Sequence, residues 1–281
     1  MINRDLLVTR IDQAIAEDFV GNLDVTTSPT IPATQRCIGE FRTRKSGVVS
    51  GIDVAIVLLN RVCVGGYEIL SRLSDGNVVG ENVTVLKVSA LTRELLVAER
   101  TALNFLSRLS GISTTTHRWV DAIAGTSAKI RDTRKTTPGW RDLEKYAVLC
   151  GGGVNHRLNL AESALIKDNH VAAVGGISQA VAAIKSQFPN LLIEVEIDHL
   201  NQLEEAIAAG ADEVLLDNMS PAECAQAVTS NKGRVKLEAS GGITLETVRA
   251  YAETGVDFIA VGAITHSAPI LDIGLDISEV N

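Results

Sequence analysis

Cationic side chains are concentrated near the middle of a 281-residue chain whose formal net charge is -8. Residues 129–170 contain eight Lys and Arg residues against five Asp and Glu residues. Charge runs are usually solvated faces. Arg134, Lys135 and Lys167, however, each follow a short apolar run that is typical of a strand. Because the Arg fork matches carboxylates and phosphates and Lys offers a mobile point charge, the pattern predicts a site for a ligand with several negative charges.

Glycine-rich segments give a second signal. In "CGGGVNHR", His156 and Arg157 follow three glycines, which either let the backbone approach a ligand or end a helix at Gly151. "EASGGIT" and "AVGAITHS" place small residues directly after strands, and "SGGITLETV" is expected to open a helix. Backbone N–H groups at such points bind phosphate, and barrels often hold phosphate at the loops of their last strands. The two segments together predict a phosphate site.

Two carboxylates, Glu196 and Asp217, are predicted at strand ends. A buried carboxylate is costly unless it is paired or bound to a cation. Three roles stay open: an ion pair with the nearby Arg and Lys residues, coordination of Mg²⁺, or hydrogen bonds to a sugar diol. Cationic groups, two carboxylates, a phosphate site and no obvious nucleophile indicate transfer of a phosphosugar. In such a reaction pyrophosphate leaves, the transition state resembles an oxocarbenium ion, and the enzyme works by positioning and electrostatics.

These residues belong to a region of alternating strands and helices that begins near Lys129. The predicted strands are AKIRDTR, SALIKDN, LLIEVEID, EVLLDN, VKLEAS and FIAVGA. The alternation predicts a parallel sheet with outer helices, whose strand ends converge on one rim. A barrel is favoured over a doubly wound open sheet because no GxGxxG follows an early strand. Six strands predict an incomplete barrel.

The first third of the chain predicts a mixed α and β region that ends in a long helix, "LTRELLVAERTALNFLSRLSGIST". No apolar run of 18 residues is present, so no transmembrane helix is expected, and a pI near 5.2 argues against nucleic acid as the main partner. The four cysteines form no CxxC pair, which favours reduced, buried thiols in a cytoplasmic protein without structural zinc.

Long, ordered motifs carry a resemblance that spans almost the whole chain. They are RDTRKTTPGWRDLEKYAVLCGGGVNHR, ALIKDNH, EVEID, LLDNM, EASGGI, VGAITHS, ERTALNFLSRLSGIST and EDFVGNLDVTT. The chain resembles the quinolinate phosphoribosyltransferases. The resemblance implies an α/β protein with an N-terminal α/β sandwich domain (1–110, joined by the C-terminal tail 267–281) and an incomplete, TIM-like parallel α/β barrel (111–266).

The resemblance also implies a reaction and an assembly. Quinolinate and phosphoribosyl pyrophosphate would give nicotinate mononucleotide, pyrophosphate and CO₂ in de novo NAD biosynthesis, with Mg²⁺ required. The enzyme would be a cytoplasmic homodimer or a hexamer. Arg100, in "AERTALNF", matches an arginine that reaches into the neighbouring subunit's site.

Site residues follow by position. The family's quinolinate-binding residues match Arg134, His156, Arg157 and Lys167. The family's residue near phosphoribosyl pyrophosphate matches Lys135, and the acidic residues facing the ribose and its metal match Glu196 and Asp217, which makes these two the implied Mg²⁺ ligands, directly or through water. The loops that hold the 5′-phosphate contain Ser240, Gly241, Gly262 and Ala263. Lys135, Lys167, Glu196 and Asp217 are the implied catalytic set.

Three other functions fit parts of the pattern. An aldolase-type barrel would use Lys167 to form a Schiff base, although Asp168 and Arg134 beside it would keep it protonated. A paralogue associated with molybdate-transport operons would keep the fold and change the substrate. A non-catalytic phosphate-binding barrel would have no use for a crowded cationic pocket. Trp140 stands where the resemblance predicts an aliphatic residue, and we expect it to pack beside the site without changing the function.

Overall fold

The computed structural model describes residues 2–279, which form two compact units. Unit 1 consists of Met1–His117, Asp142–Gly152 and Ser267–Asn281, and unit 2 of Arg118–Arg141 and Gly153–His266. The domain boundaries inferred from the resemblance, 1–110 and 111–266, stay a prediction. None of the described helices is both long enough and apolar enough to cross a membrane.

Helices and strands alternate along most of the chain. The helices are α1 Arg4–Asp18, α2 Thr27–Thr30, α3 Ile52–Val62, α4 Thr92–Ala122, α5 Arg141–Cys150, α6 Asp168–Val174, α7 Ile177–Gln187, α8 Leu203–Ala209, α9 Pro221–Asn231, α10 Val248–Ala252 and α11 Ala263–His266. The strands are β1 Arg36–Thr43, β2 Gly47–Val48, β3 Glu68–Arg72, β4 Val78–Val79, β5 Thr84–Leu91, β6 Lys129–Arg131, β7 Ala164–Ile166, β8 Ile193–Ile197, β9 Glu213–Asp217, β10 Lys236–Ser240, β11 Phe258–Ala260 and β12 Ile273–Glu279.

Unit 1 is built on an antiparallel sheet with the strand order β12-β1-β5-β3. Residues of β1 alternate between the two faces, as expected for a half-buried strand. Cys37 and Phe41 lie in the core, and Glu40 and Arg42 lie on the more exposed face. All four cysteines are free thiols, and Cys150 is the one that is only half-buried.

Unit 2 contains a six-stranded parallel sheet with the order β6-β11-β10-β9-β8-β7. In chain order the strands run around a barrel, since β11 returns to pair with β6. No ladder joins β6 to β7 within residues 2–279. At this seam Val154 forms a single parallel bridge with Arg131. The prediction of a mixed α/β N-terminal region that is followed in sequence by an incomplete parallel α/β barrel is confirmed.

Alternation along each strand decides what lies inside the barrel. Ile193, Val195 and Ile197 of β8 share one face, and Glu194 and Glu196 share the other. Arg131 of β6 contacts Glu213 of β9, although two strands separate β6 from β9 in the sheet. Such a contact is only made across the barrel interior, so the interior of this barrel is charged.

Candidate active site

The register of neighbouring strands brings Lys167 and Glu196 together. Ile166 pairs with Val195 at the ends of β7 and β8, which places the next residue of β7 beside Glu196. Lys167 Nζ donates a short hydrogen bond to Glu196 Oε2, and the Glu196 side chain is largely buried. The ion-pair alternative therefore describes Glu196 as it stands here. An amine held in this way is not available as a nucleophile, which disfavours the Schiff-base function.

Asp217 ends β9 and lies opposite Ser240 of β10. Its Oδ2 accepts a 2.7 Å hydrogen bond from Asn218 Nδ2. Asn218 adopts a left-handed backbone with φ of 53°, a conformation that Asn tolerates better than most residues. The same residue donates its backbone N–H to Ser240 O at 2.8 Å. Asn218, a polar residue at a predicted strand end, thereby joins the carboxylate of Asp217 to the loop after β10.

Arg134 and Arg157 form a cationic pair. Their Nε atoms are buried and have no hydrogen-bond partner among the described residues. Arg157 Nη1 donates to Ser163 O at 2.9 Å, and no carboxylate in the described part of the chain forms an ion pair with Arg157. Burial and then the charge of Arg134 hold the pKa of Arg157 below its usual range. Two partly buried like charges repel unless an anion lies between them, so this pair marks a site for an anion.

Hydrogen bonds fix His156 at its backbone and at both ring nitrogens. Its backbone N–H donates to Asp132 Oδ1 at 2.7 Å. Its Nε2 lies 2.7 Å from Glu194 Oε2, and its Nδ1 accepts from Arg157 N at 2.7 Å. Burial opposes protonation of the ring, but the hydrogen bond and charge of Glu194, followed by the charge of Glu238, raise the pKa of His156 above its ordinary value.

Beneath His156 lies a buried network that the sequence pattern does not single out. Arg131 Nη1 donates to Glu213 at 2.8 Å and to Glu238 at 2.7 Å, and its guanidinium stacks 3.7 Å from the ring centre of Phe258. Burial and then the charge of Glu194 raise the pKa of Glu238, despite Arg131 and His156 nearby. A signal was available, since Glu194 and Glu238 each lie two residues before a predicted site residue and so share its face.

The cluster of His156, Glu194 and Glu238 brings three candidate metal-ligand atoms within 4.8 Å of one another. The guanidinium of Arg131 already neutralises Glu238, and a divalent cation beside it would be repelled. The cluster therefore does not suit a metal. Glu196 and Asp217 lie on the neighbouring strands β8 and β9 and carry the hard oxygen donors that Mg²⁺ takes together with substrate phosphates. Glu196 is paired with Lys167 in this structure, and the role of these two carboxylates as Mg²⁺ ligands stays a prediction.

The two glycine loops differ from each other. Gly241 has a φ of 95° and Gly242 a φ of 61°. A Cβ at Gly241 would lie 2.2 Å from Asn218 Oδ1, so the loop has no room for a side chain. The prediction that "SGGITLETV" opens a helix is wrong, because α10 begins only at Val248. The two glycines instead form a turn in the left-handed backbone conformation, which residues with a side chain rarely adopt.

At the second loop, α11 begins directly after Gly262, with Ala263 as its first residue. A Cβ at Gly262 would lie 3.2 Å from both Lys135 Cδ and His266 Nε2. Thr265 Oγ1 donates to Lys135 O at 2.8 Å, which ties Lys135 to this loop. His266 is thus a further residue of the site.

The "CGGGVNHR" segment has a structural role at its start. The helix α5 ends at Cys150, and the Gly151 N–H bonds back to Ala147 O at 3.1 Å, as the helix-end alternative expects. A Cβ at Gly151 would lie 2.5 Å from Ser113 O, so the glycine is needed for close packing.

Unit 2 contains eleven of the twelve predicted site residues. They are Arg134, Lys135, His156, Arg157, Lys167, Glu196, Asp217, Ser240, Gly241, Gly262 and Ala263. Arg100 is exposed on α4 and belongs to unit 1. The binding and catalytic roles of all twelve stay predictions.

Comparisons with known proteins agree with this fold. The family model described as "Quinolinate phosphoribosyl transferase, C-terminal domain" matches residues 112–276, and its N-terminal counterpart matches residues 24–110. The chain is 50% identical, over 95% of its length and 95% of the relative's, to nicotinate-nucleotide pyrophosphorylase (carboxylating) of Mycobacterium leprae. It is 40% identical to the probable enzyme of that name in Bacillus subtilis, over 91% of this chain and 88% of the other.

Solved structures give the same result. The nicotinate-nucleotide pyrophosphorylase of Francisella tularensis superposes with a TM-score of 0.95 at 38% identity, covering 99% of this chain and 98% of that one. This match covers both the N-terminal region and the barrel region of the chain. The chain therefore belongs to the quinolinate phosphoribosyltransferase family.

Proposed function

We propose that this protein converts quinolinate and phosphoribosyl pyrophosphate into nicotinate mononucleotide, pyrophosphate and CO₂. The observation that carries the proposal is the pair formed by Arg134 and Arg157, two partly buried guanidinium groups with which no carboxylate of residues 2–279 is in contact. A planar dicarboxylate supplies the missing anions, and bidentate binding by Arg also fixes its orientation. Membership of the family names that dicarboxylate as quinolinate.

The clamp has a catalytic purpose. Arg134, Arg157 and Lys167 hold the two carboxylates and aim the pyridine nitrogen at the anomeric carbon of the ribose. Holding the two reactants in a reactive geometry removes much of the entropic part of the barrier. Lys167 is already oriented by Glu196, so its ammonium group turns toward a substrate carboxylate without a search for position.

Charge then develops on the sugar. As the bond to pyrophosphate breaks, the ribose takes on oxocarbenium character, and the carboxylates of Glu196 and Asp217 hold its hydroxyls and stabilise the positive charge. The turn at Ser240 and Gly241 and the start of α11 at Gly262 and Ala263 bind the 5′-phosphate through backbone N–H groups.

Loss of CO₂ follows bond formation. When CO₂ leaves, the electron pair of the broken bond stays on the adjacent ring carbon, where the positive charge of the new quaternary nitrogen stabilises it, and a proton then binds to that carbon. Because the clamp binds both carboxylates, quinolinate is selected over a monocarboxylate that lacks the group to be lost.

Three further proposals come from the family resemblance. Glu196 and Asp217 would hold Mg²⁺, directly or through water, and the bound ion would neutralise charge on the pyrophosphate. The protein would be a cytoplasmic homodimer or hexamer. Arg100 would be contributed to the site of the neighbouring subunit, where it would join the carboxylate clamp.

The direct test is an assay of product formation. Purified protein is incubated with quinolinate, phosphoribosyl pyrophosphate and Mg²⁺, and nicotinate mononucleotide is followed by its absorbance, with nicotinate as the control substrate and Arg134→Ala as the control variant. We expect product from quinolinate alone and none from the folded variant. Product from nicotinate at an equal rate, or near-normal turnover by Arg134→Ala, would refute the clamp. Folded protein that acts on neither acid would favour the paralogue that has changed its substrate.

A further inference from the structure

Both ring nitrogens of His156 have partners within the protein. Nε2 lies 2.7 Å from Glu194 Oε2, and Nδ1 accepts the backbone N–H of Arg157 at 2.7 Å. The side chain is about nine-tenths buried. Either ring nitrogen would therefore have to break one of these bonds before it could bond to a substrate.

The hydrogen bond from Arg157 fixes the tautomer of the ring. A backbone N–H is always a donor, so Nδ1 must be the unprotonated nitrogen and the ring proton must lie on Nε2. From there it is donated to Glu194, which is buried. Glu194, Glu238 and Arg131 are charged groups that act on the ring, and the carboxylate of Asp132 accepts the backbone N–H of His156. A second proton would have to occupy Nδ1 and would break the bond to Arg157.

The partner of Nδ1 belongs to the anion clamp. Arg157 is held at its backbone by His156 and at its guanidinium by Ser163 O, 2.9 Å from Nη1. Two anchors at opposite ends of a long side chain restrict a group that otherwise has several rotatable bonds. A guanidinium that is pre-oriented in this way loses less entropy when it binds a carboxylate.

A second buried carboxylate, Glu238, lies on the same side of the ring as Glu194. Glu238 Oε1 lies 3.9 Å from His156 Nε2, and Glu238 Oε2 accepts a 2.7 Å bond from Arg131 Nη1. Arg131 is in turn bonded to Glu213 at 2.8 Å. Buried, hydrogen-bonded charge networks of this kind rigidify their members.

We propose that His156 and Glu194 are a positioning pair: Glu194 fixes the imidazole, and the imidazole fixes Arg157 for binding of the dicarboxylate. His156 then contributes to quinolinate binding through Arg157 and not through a hydrogen bond of its own to the substrate. The inference rests on the proposed function, because it assigns His156 a role in that same site.

A double-mutant cycle separates the two roles of His156. Quinolinate dissociation constants are measured by calorimetry for the wild type, His156→Gln, Arg157→Lys and the double variant, since residues that act through one another are not additive. The amide of Gln reaches the position of Nε2 and keeps a donor for Glu194, whereas the position of Nδ1, next to the Arg157 N–H, is taken by a carbon atom that cannot accept. We expect His156→Gln to weaken binding about tenfold, the loss of one hydrogen bond to a positioned group. We expect the double variant to bind as Arg157→Lys does, within about threefold.

Multiplied effects in the double variant would overturn the proposal, because they would show that His156 contacts quinolinate independently. Glu194→Gln, which changes almost no volume, provides a second cycle with Arg157→Lys in case His156→Gln does not fold. We expect it to weaken quinolinate binding in the wild-type background and to have no further effect beside Arg157→Lys. Binding of phosphoribosyl pyrophosphate should stay unchanged in His156→Gln and Glu194→Gln.

The tautomer gives a readout that a merely structural role would not move. The chain has five histidines, so the ring ¹⁵N resonances of His156 are assignable by comparison with His156→Gln. Once the ring has been titrated to its neutral form, we expect its remaining proton on Nε2, and a proton on Nδ1 would overturn the proposal. The two proposals can fail separately. If the wild type binds quinolinate but makes no nicotinate mononucleotide, the proposed function is refuted. The double-mutant cycle, which measures binding alone, still decides the role of His156.

Discussion

Replacing Arg134 by Met separates the function of the cationic pair from its cost to the folded protein. Met keeps the length and the apolar stem of Arg while removing its charge and its donors. In the free protein Arg134 lowers the pKa of Arg157, which means that the two charges repel. Removing one of them should therefore make the free protein more stable and the binding of quinolinate much weaker.

The two effects differ in size. Relief of one like-charge contact in a partly solvated site is worth about 0.5–1 kcal/mol. For a chain of this length that raises the unfolding midpoint by about 1–2 °C. Loss of one hydrogen-bonded charge from the clamp costs about 3 kcal/mol, roughly a 150-fold rise in the quinolinate dissociation constant.

The assay pairs thermal unfolding of the ligand-free protein with calorimetric titration of quinolinate. Lys129→Met is the matched control, because it removes one positive charge from the exposed first residue of β6, the strand that precedes Arg134. The control should change neither quantity. A destabilised Arg134→Met protein that still binds quinolinate at the wild-type affinity would show that Arg134 serves packing and is not part of an anion site.

Three other substitutions test separate parts of the structure. Glu40 accepts hydrogen bonds from Arg42, Lys87 and Thr84, which lower its pKa to about 2. Its pairing therefore stabilises the fold above its ordinary pKa and is lost as pH falls toward 2. In unfolding curves recorded from pH 7 to 3, the free energy of unfolding of Glu40→Gln should be about 1 kcal/mol below that of the wild type at pH 7. This difference should shrink as the pH falls. Gly111→Ala should lower the free energy of unfolding by about 2–3 kcal/mol, because its Cβ would lie 2.1 Å from Pro269 O, and an unchanged urea midpoint would contradict this. Gly262→Ala should raise the KM for phosphoribosyl pyrophosphate about five- to tenfold without a matching rise for quinolinate, since a crowded phosphate loop loses roughly one hydrogen bond; steady-state kinetics with each substrate varied in turn would show it.

The positions of Lys167, Glu196 and Asp217 at one rim follow from the sequence. Each comes at the end of an apolar run, and in a parallel barrel the carboxyl ends of the strands meet. The structure gives the pairing that the pattern could not, because contact between Lys167 and Glu196 depends on the register of β7 against β8. Register describes how two strands are aligned, so it cannot be predicted from the sequence of either strand alone.

The charged barrel interior was not predictable in the same way. Alternation in "IEVEI" indicates that Glu194 and Glu196 share a face, but it does not say which face is inside. Burying Glu194 requires a partner from elsewhere in the chain, and this partner is His156, which lies far away in sequence. The turn at Gly241 was missed for a local reason, since "LETV" is compatible with a helix that in fact begins later, at Val248.

The stoichiometry of the reaction is the most direct test of carboxylate loss coupled to phosphoribosyl transfer. Quinolinate labelled with ¹³C in the carboxylate adjacent to the ring nitrogen is mixed with enzyme, phosphoribosyl pyrophosphate and Mg²⁺, and ¹³C and ³¹P spectra are recorded over time. We expect labelled CO₂, pyrophosphate and nicotinate mononucleotide to appear in equal amounts. Pyrophosphate released without labelled CO₂, or a nucleotide that keeps both carboxylates, would contradict the proposed reaction.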